Sequence, residues 1–224
     1  MNHSTQQSVE IELSSKGSNL YIFFGGISAG IAMPPFEFYN ASKIIDENKI
    51  FVRDFSQSWY QSGLYGISDN VNSTAGYLKK KIKEINPEKT FFVGNSMGGY
   101  AAILFGNLIG NGEIIAFSPQ TFISPELRSR HRDFRWNEQI KATYRRSISK
   151  NETWDLFPLL LRLSKNIKTS IYVSKEDRLD HIHALHLKDV QCTKLIELER
   201  GGHNLVKTLR DQGILPAIMS GTYT

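Results

Sequence analysis

The chain has 224 residues, 40% of them hydrophobic and 22% charged, and a net charge of +5. These proportions describe one soluble globular α/β-sized domain with ample material for a core. No apolar run approaches the roughly 20 residues of a membrane span, the polar start M-N-H-S-T-Q-Q-S has no leader pattern, and the single cysteine, Cys192, excludes an internal disulfide and points to the cytoplasm.

In chain order, residues Val9–Leu13 alternate apolar and charged side chains as an edge strand does. After the turn Ser14–Ser18, Asn19–Phe24 is a more buried strand, followed by Gly25-Gly26-Ile27. Pro34 and Pro35 delay the next helix, which is expected over Phe36–Glu47. A short strand, Ile50–Val52, ends in Arg53-Asp54, and Phe55–Gly66 is loop. Asp69 or Asn70 is placed to cap a helix over Val71–Ile85, which Asn86-Pro87 stops. Strand Thr90–Val93, helix Met97–Leu108 and strand Glu113–Phe117 follow. From Ser118 to Asn166 the strand rhythm stops. That stretch reads as a short helical lid within a single domain, 1–224, and includes an apolar helix over Leu156–Leu163. Between Glu126 and Lys150 it holds eight Lys/Arg against three acids, which equals the excess charge of the whole chain. Strand Thr169–Val173, helix His181–Lys188, strand Lys194–Leu198, a helix near Asn204–Gln212 and a tail helix over Ile214–Met219 complete the chain. Alternating strands and helices imply a mostly parallel sheet with helices on both faces.

One stretch carries the chemistry. Phe91–Tyr100 reads F-F-V-G-N-S-M-G-G-Y, a G-x-S-x-G pattern between a buried strand and an Ala-rich helix. A serine at such a turn has a strained backbone, and small residues at Gly94, Gly98 and Gly99 relieve the crowding around it. Ser96 is therefore the expected nucleophile. The N–H of Met97 opens the following helix, where unpaired N–H groups and the positive dipole end favour a developing oxyanion. A second donor is expected from the loop after the neighbouring strand, at Gly26 or at Ile27.

A serine nucleophile needs a base, and the base needs an orienting carboxylate. His203 lies past a strand on Gly201-Gly202, whose flexibility lets the imidazole turn back towards Ser96. His3 lies in the polar tail and His131 in the basic stretch. His181, His183 and His186 form an H-I-H-A-L-H run that no cysteine or well-spaced carboxylate completes, so no metal site is expected. For the acid, Asp177 is the first choice, with Asp180 able instead to cap the helix at His181, and Glu176 as the third candidate. Arg53, Trp59, Tyr60 and Gln120 lie beyond strand ends on the same rim and are candidates to contact substrate, or else loop packing. Cys192 reads as strand packing.

Phe24-Gly25-Gly26, Gly94-Asn95-Ser96-Met97-Gly98, Asp177 and Gly201-Gly202-His203-Asn204 together resemble the α/β-hydrolase superfamily across nearly the whole chain. The segments R-D-F…W-Y-Q-S-G and F-S-P-Q add a likeness to small bacterial members encoded with surface-polysaccharide genes, some of which move or remove O-acetyl groups. This chain has Gly-Gly-Ile where many esterases carry His-Gly. The resemblance implies an α/β-hydrolase fold and a serine esterase that forms an acyl-enzyme, acting on a small-molecule or glycan ester without a cofactor. The alternative is an O-acyltransferase using acetyl-CoA as donor and a glycan hydroxyl as acceptor, and a binding scaffold with a vestigial triad is a third reading. The basic stretch suits an anionic glycan, an anionic acyl donor or an anionic membrane surface. Nothing resembles an aromatic-laced nucleic-acid platform, and oligomeric state has no signature in the sequence.

Overall fold

The computed structural model describes residues 7–27, 38–146, 152–163, 167–221 and 223. Its strands are β1 (Val9–Glu12), β2 (Leu20–Phe24), β3 (Asn48–Val52), β4 (Thr90–Asn95), β5 (Glu113–Phe117), β6 (Lys168–Ser174) and β7 (Thr193–Leu198). The helices are α1 (Val71–Ile85), α2 (Met97–Ile109), α3 (Pro125–His131), α4 (Asn137–Arg146), α5 (Leu156–Leu163), α6 (Arg178–Leu185), α7 (Leu205–Asp211) and α8 (Leu215–Met219). The strands form one sheet in the order β1-β3-β2-β4-β5-β6-β7. Only β1 runs antiparallel, along β3 at the edge; the other pairings are parallel.

The central strands are buried on both faces, so their sequences are continuous apolar runs and their alternation shows only in what each side chain touches. Leu20, Ile22 and Phe24 of β2 and Phe92 of β4 join a core that includes α1, α2 and α5. Tyr21, Phe23, Phe91 and Val93 point the other way, into a second core closed by α7 and α8. The expected three-layer α/β arrangement is therefore present. Because six strands run in the same direction, their C-terminal ends share one rim, and the loops leaving β2, β3, β4, β5, β6 and β7 meet there.

Capping fixes several helix starts. The Asn70 side chain accepts the Ser73 N–H at 2.9 Å while Ser73 Oγ accepts the Asn70 N–H at 3.2 Å, a reciprocal cap for α1. Two expectations need correction. The helix expected over Phe36–Glu47 is, in its described part, only a 3-10 turn at Ala41–Ile44. Phe38 is left-handed at φ 66°, with its ring centroid 5.6 Å from that of Phe23, so burial of the ring overrides the helical pattern; Phe36 and Glu37 lie outside the described residues. The helix expected to begin at His181 begins at Arg178, because Asp177 and not Asp180 is its cap.

The stretch 118–166 carries α3, α4 and α5, tied by a bridge between Phe122 and Asp155. Ile123, Ile140, Leu156, Leu159 and Leu160 are buried in the main core, so these helices are anchored to the body of the domain. Lys150, Lys165 and Asn166 lie outside the described residues. No helix among the described residues is long and apolar enough to cross a membrane.

Candidate active site

Ser96 sits between β4 and α2 with φ 56° and ψ −119°, a backbone region costing about 1–3 kcal/mol for a residue with a side chain. The turn is held from three sides: Ser96 N–H donates to Phe117 O at 2.9 Å, and Ser96 O accepts from Tyr100 N–H at 3.0 Å and Gln120 N–H at 3.2 Å. The glycines have a steric role here. A Cβ on Gly94 would lie 2.1 Å from Gly98 O, and one on Gly98 would lie 2.1 Å from Phe24 O. The elbow thus packs backbone on backbone against the end of β2. Ser96 Oγ is buried and has no hydrogen-bond partner among the described residues, which is uncommon for a buried hydroxyl.

The loop after β3 supports this elbow. Asp54 is buried, and its carboxylate accepts the N–H groups of Ser56, Ser58 and Tyr60 at 2.9, 2.7 and 2.8 Å. Burial pushes its carboxyl up, and those donated hydrogen bonds pull the other way. They stabilise a tight path in which Trp59 and Tyr60 are both left-handed. Tyr60 Oη then reaches Gly25 O at 2.9 Å, and Trp59 Nε1 donates to Gln120 Oε1 at 3.1 Å. Trp59, Tyr60 and Gln120, read from sequence as candidates for substrate contact, are turned inward and no more than 1% exposed. They brace the two loops that flank Ser96. Arg53 is half-buried, with its guanidinium 4.8 Å from the centre of the Phe55 ring. Gly26 and Ile27 follow β2 on the same rim, and Met97 is the first residue of α2.

His203 sits in a 3-10 turn, Gly202–Asn204, just past the end of β7. Gly201 and Gly202 have φ 126° and 51°, values that a side chain would oppose. The acid beside His203 is Asp180: His203 Nδ1 lies 2.7 Å from Asp180 Oδ2. Asp177, the first choice from sequence, instead accepts the N–H groups of Leu179 and Asp180, both at 3.0 Å, as the N-cap of α6. The exchange has a simple physical cause. Starting α6 three residues earlier makes Asp177 the cap and puts Asp180 on the first turn, facing the imidazole. Glu176 accepts the Gly201 N–H at 3.0 Å and so steadies the histidine loop.

Asp180 is 1% exposed at its side chain and His203 is 30% exposed. The hydrogen bond that His203 donates to Asp180 raises His203 above the ordinary imidazole value; burial opposes this, the Asp180 charge adds to it and the nearby Arg135 charge subtracts from it. Burial alone would raise the Asp180 carboxyl, but its bonds and charge interactions with His203 and then Arg135 hold it below the usual range. One ligand atom each from Asp177, Asp180 and His203 lies within 4.8 Å of the others, a grouping that a cation can use. Here the same groups are engaged by a histidine, a guanidinium and two backbone N–H groups.

Arg135 was not singled out from sequence, where it was one of eight cations. Its Nη1 lies 2.6 Å from Asp180 Oδ1, while Nε and Nη2 clasp Asp133 at 3.0 and 2.9 Å. Asp133 also meets His183 Nε2 at 2.9 Å. Thr121 N–H donates to His183 Nδ1 at 3.1 Å, so Nε2 carries the proton and donates to Asp133. Burial holds His183 below its ordinary value, consistent with a neutral ring. The three rival histidines thus have separate partners: His181 meets Glu197, His183 meets Asp133 and His186 meets Asp155. His183 is 1% exposed. Cys192 is exposed in the turn before β7, not packed in a strand.

Such a rim holds an unpartnered serine hydroxyl at a helix start and a histidine polarised by a buried carboxylate. Comparison with solved structures finds the same architecture elsewhere. The capsule O-acetyltransferase of Neisseria meningitidis serogroup A is 17% identical, with a TM-score of 0.64 over 93% of this chain and 92% of that one. FphF, a fluorophosphonate-binding serine hydrolase of Staphylococcus aureus, is also 17% identical, with a TM-score of 0.64 over 96% and 92%. MGS-M2, an alpha/beta hydrolase enzyme from a Medee basin deep-sea metagenome library, is 15% identical, with a TM-score of 0.59 over 96% and 94%. This chain has the α/β-hydrolase fold. No protein-family model matches the sequence, and no curated protein matches it.

Proposed function

We propose that the protein is a serine esterase of the α/β-hydrolase type that works through an acyl-enzyme on Ser96. The observation carrying this reading is the His203–Asp180 pair at 2.7 Å, on the sheet rim that also holds the strained Ser96 elbow. Ser96 Oγ attacks the ester carbonyl and gives its proton to His203 Nε2. Asp180 holds the other ring nitrogen and stabilises the imidazolium. The N–H groups of Met97 and of Gly26 or Ile27 hold the tetrahedral oxyanion. Collapse breaks the carbonyl–oxygen bond of the leaving alcohol, which takes the proton from His203. Water, deprotonated by His203, then attacks the acyl-enzyme and releases the acid and free Ser96. The exposed thiol of Cys192 suits a reducing compartment such as the cytoplasm.

A second reading, acyl transfer, is supported by the likeness to the capsule O-acetyltransferase over more than nine-tenths of both chains. In that case Ser96 attacks the thioester of acetyl-CoA, the C–S bond breaks and the CoA thiol leaves with the proton from His203, and a hydroxyl of a bacterial surface carbohydrate replaces water in the second half-reaction. The exposed Arg130 and Arg132 offer positive charge to an anionic donor or glycan. Intact-mass measurement after incubation with p-nitrophenyl acetate or acetyl-CoA, with and without candidate glycans, tests both readings. An acetyl adduct on Ser96 that decays in water supports the esterase. Decay only on adding glycan supports transfer. No adduct with any donor, and none with a fluorophosphonate, would overturn both.

A further inference from the structure

Arg135 lies in the segment between α3 and α4, 45 residues before Asp180 in sequence, yet it divides that carboxylate with the catalytic histidine. His203 takes Oδ2 and Arg135 takes Oδ1. The guanidinium is itself immobilised by the two-point contact with Asp133, and Asp133 is fixed by the neutral His183. The side chains of Asp133, Asp180 and His183 are each 1% exposed, and Arg135 between them is 22% exposed.

We propose that Arg135 is a positioning residue for the esterase site, fixing the Asp180 carboxylate against His203 and making their alignment depend on the docked insertion. This rests on the assignment of Ser96 and His203 as nucleophile and base. A carboxylate has two oxygens and can rotate about its Cβ–Cγ bond. With Oδ1 held by a planar fork that is already clasped elsewhere, rotation would break a charge-assisted bond, so Oδ2 stays on the imidazole. The same cation has an electrostatic consequence. His203 faces Asp180 and Asp177 from the start of α6, Glu176 through the Gly201 loop, and Arg135 with Asp133 behind it from the insertion. Arg135 is the cation among these groups. It offsets one of the two buried carboxylates, so His203 gains orientation from Asp180 without the full rise in basicity that an uncompensated acid pair would give. A base held too strongly protonated is unavailable at neutral pH.

The test uses full-length R135Q and R135K beside wild type, with two readouts. The first is the pH dependence of fluorophosphonate labelling of Ser96; the second is the titration of the His203 ring by NMR, assigned with H203N. For R135Q the expectation is a labelling rate about 10- to 100-fold lower at neutral pH, with the His203 midpoint moved upward and part of the rate recovered at higher pH. R135K keeps the charge and loses the fork, so its midpoint returns towards wild type while the rate remains reduced. A purely structural arginine predicts a lower melting temperature with an unmoved midpoint, and that result for R135Q would overturn the proposal. If R135Q does not fold, R135K decides: a wild-type labelling rate in R135K would overturn it. Failure of wild type to label at Ser96 would instead remove the esterase reading and the Arg135 role together, whereas a labelled wild type with unmoved variants removes the Arg135 role alone.

Discussion

The two halves of the rim are built on different physics. At the elbow between β4 and α2, position is set by backbone sterics: Gly94 and Gly98 let main chain approach main chain, and the carbonyl of Ser96 is bonded twice. Around His203, position is set by side-chain charge: His203, Asp180, Arg135, Asp133 and His183 hold one another by hydrogen bonds from three separate parts of the chain. The first kind of order is main chain against main chain, and fails through a clash. The second is long-range and responds to pH and to single substitutions of charge. A serine nucleophile benefits from the first, because its hydroxyl must not move. A base that gains and loses a proton each turnover needs the second, because its environment must stabilise both states.

The sharpest way to break the comparison is at its junction. Ser96→Ala removes the proposed nucleophile while leaving the elbow backbone intact, and should lower esterase kcat about 10⁶-fold and abolish fluorophosphonate labelling. Turnover at the wild-type rate in S96A would refute the assignment. Next in size is Asp180→Asn, which keeps the shape but removes the charge and the preferred tautomer of His203. A fall of about 10⁴-fold in kcat is expected. The sign of the pH effect follows from the cause: the hydrogen bond and charge of Asp180 raise His203, so its removal should move the acid limb of kcat/KM to lower pH. Gly98→Ala attacks the other half. Its Cβ would meet Phe24 O at 2.1 Å, a backbone atom with no flexible end to yield. A cost of about 3 kcal/mol is expected, read as a fall of roughly 10 °C in Tm. An unchanged Tm would mean that the elbow is less tightly packed than its geometry indicates.

The same contrast explains what was legible in the sequence. Strand and helix order, the parallel sheet and the Ser96 elbow could be read because each depends on residues close together: an apolar run, a glycine two positions before and two after a serine, a cap such as Asn70. The position of His203 was legible for the same reason, through the Gly201-Gly202 bend after β7. The partner of His203 was misread because Asp177 and Asp180 differ only in which of them caps α6. Arg135, which takes the other Asp180 oxygen, lies 45 residues before it among seven other cations, and no local pattern marks one arginine of a basic stretch as the partner of a buried acid. For Trp59, Tyr60 and Gln120 the sequence left substrate contact and loop packing both open. Aromatic and amide side chains beyond strand ends suit substrate contact, and it took the Asp54-anchored turn to point them inward.

The smallest effect tests that misreading directly. Asp177→Ala removes an N-cap whose carboxylate accepts two N–H groups of α6, and such caps contribute about 1 kcal/mol. Tm should fall by roughly 2–4 °C for a chain of this length, while kcat stays within a few-fold of wild type, because Asp180 still holds the imidazole. The charge of Asp177 is a minor contributor that raises His203, so the acid limb should move slightly to lower pH, in the same direction as for D180N but with catalysis retained. Assayed together, the two variants separate the roles that sequence spacing had exchanged. If D177A lost activity to the same degree as D180N, the cap would be catalytic after all, and the 2.7 Å contact between Asp180 and His203 would not be the one that turnover uses.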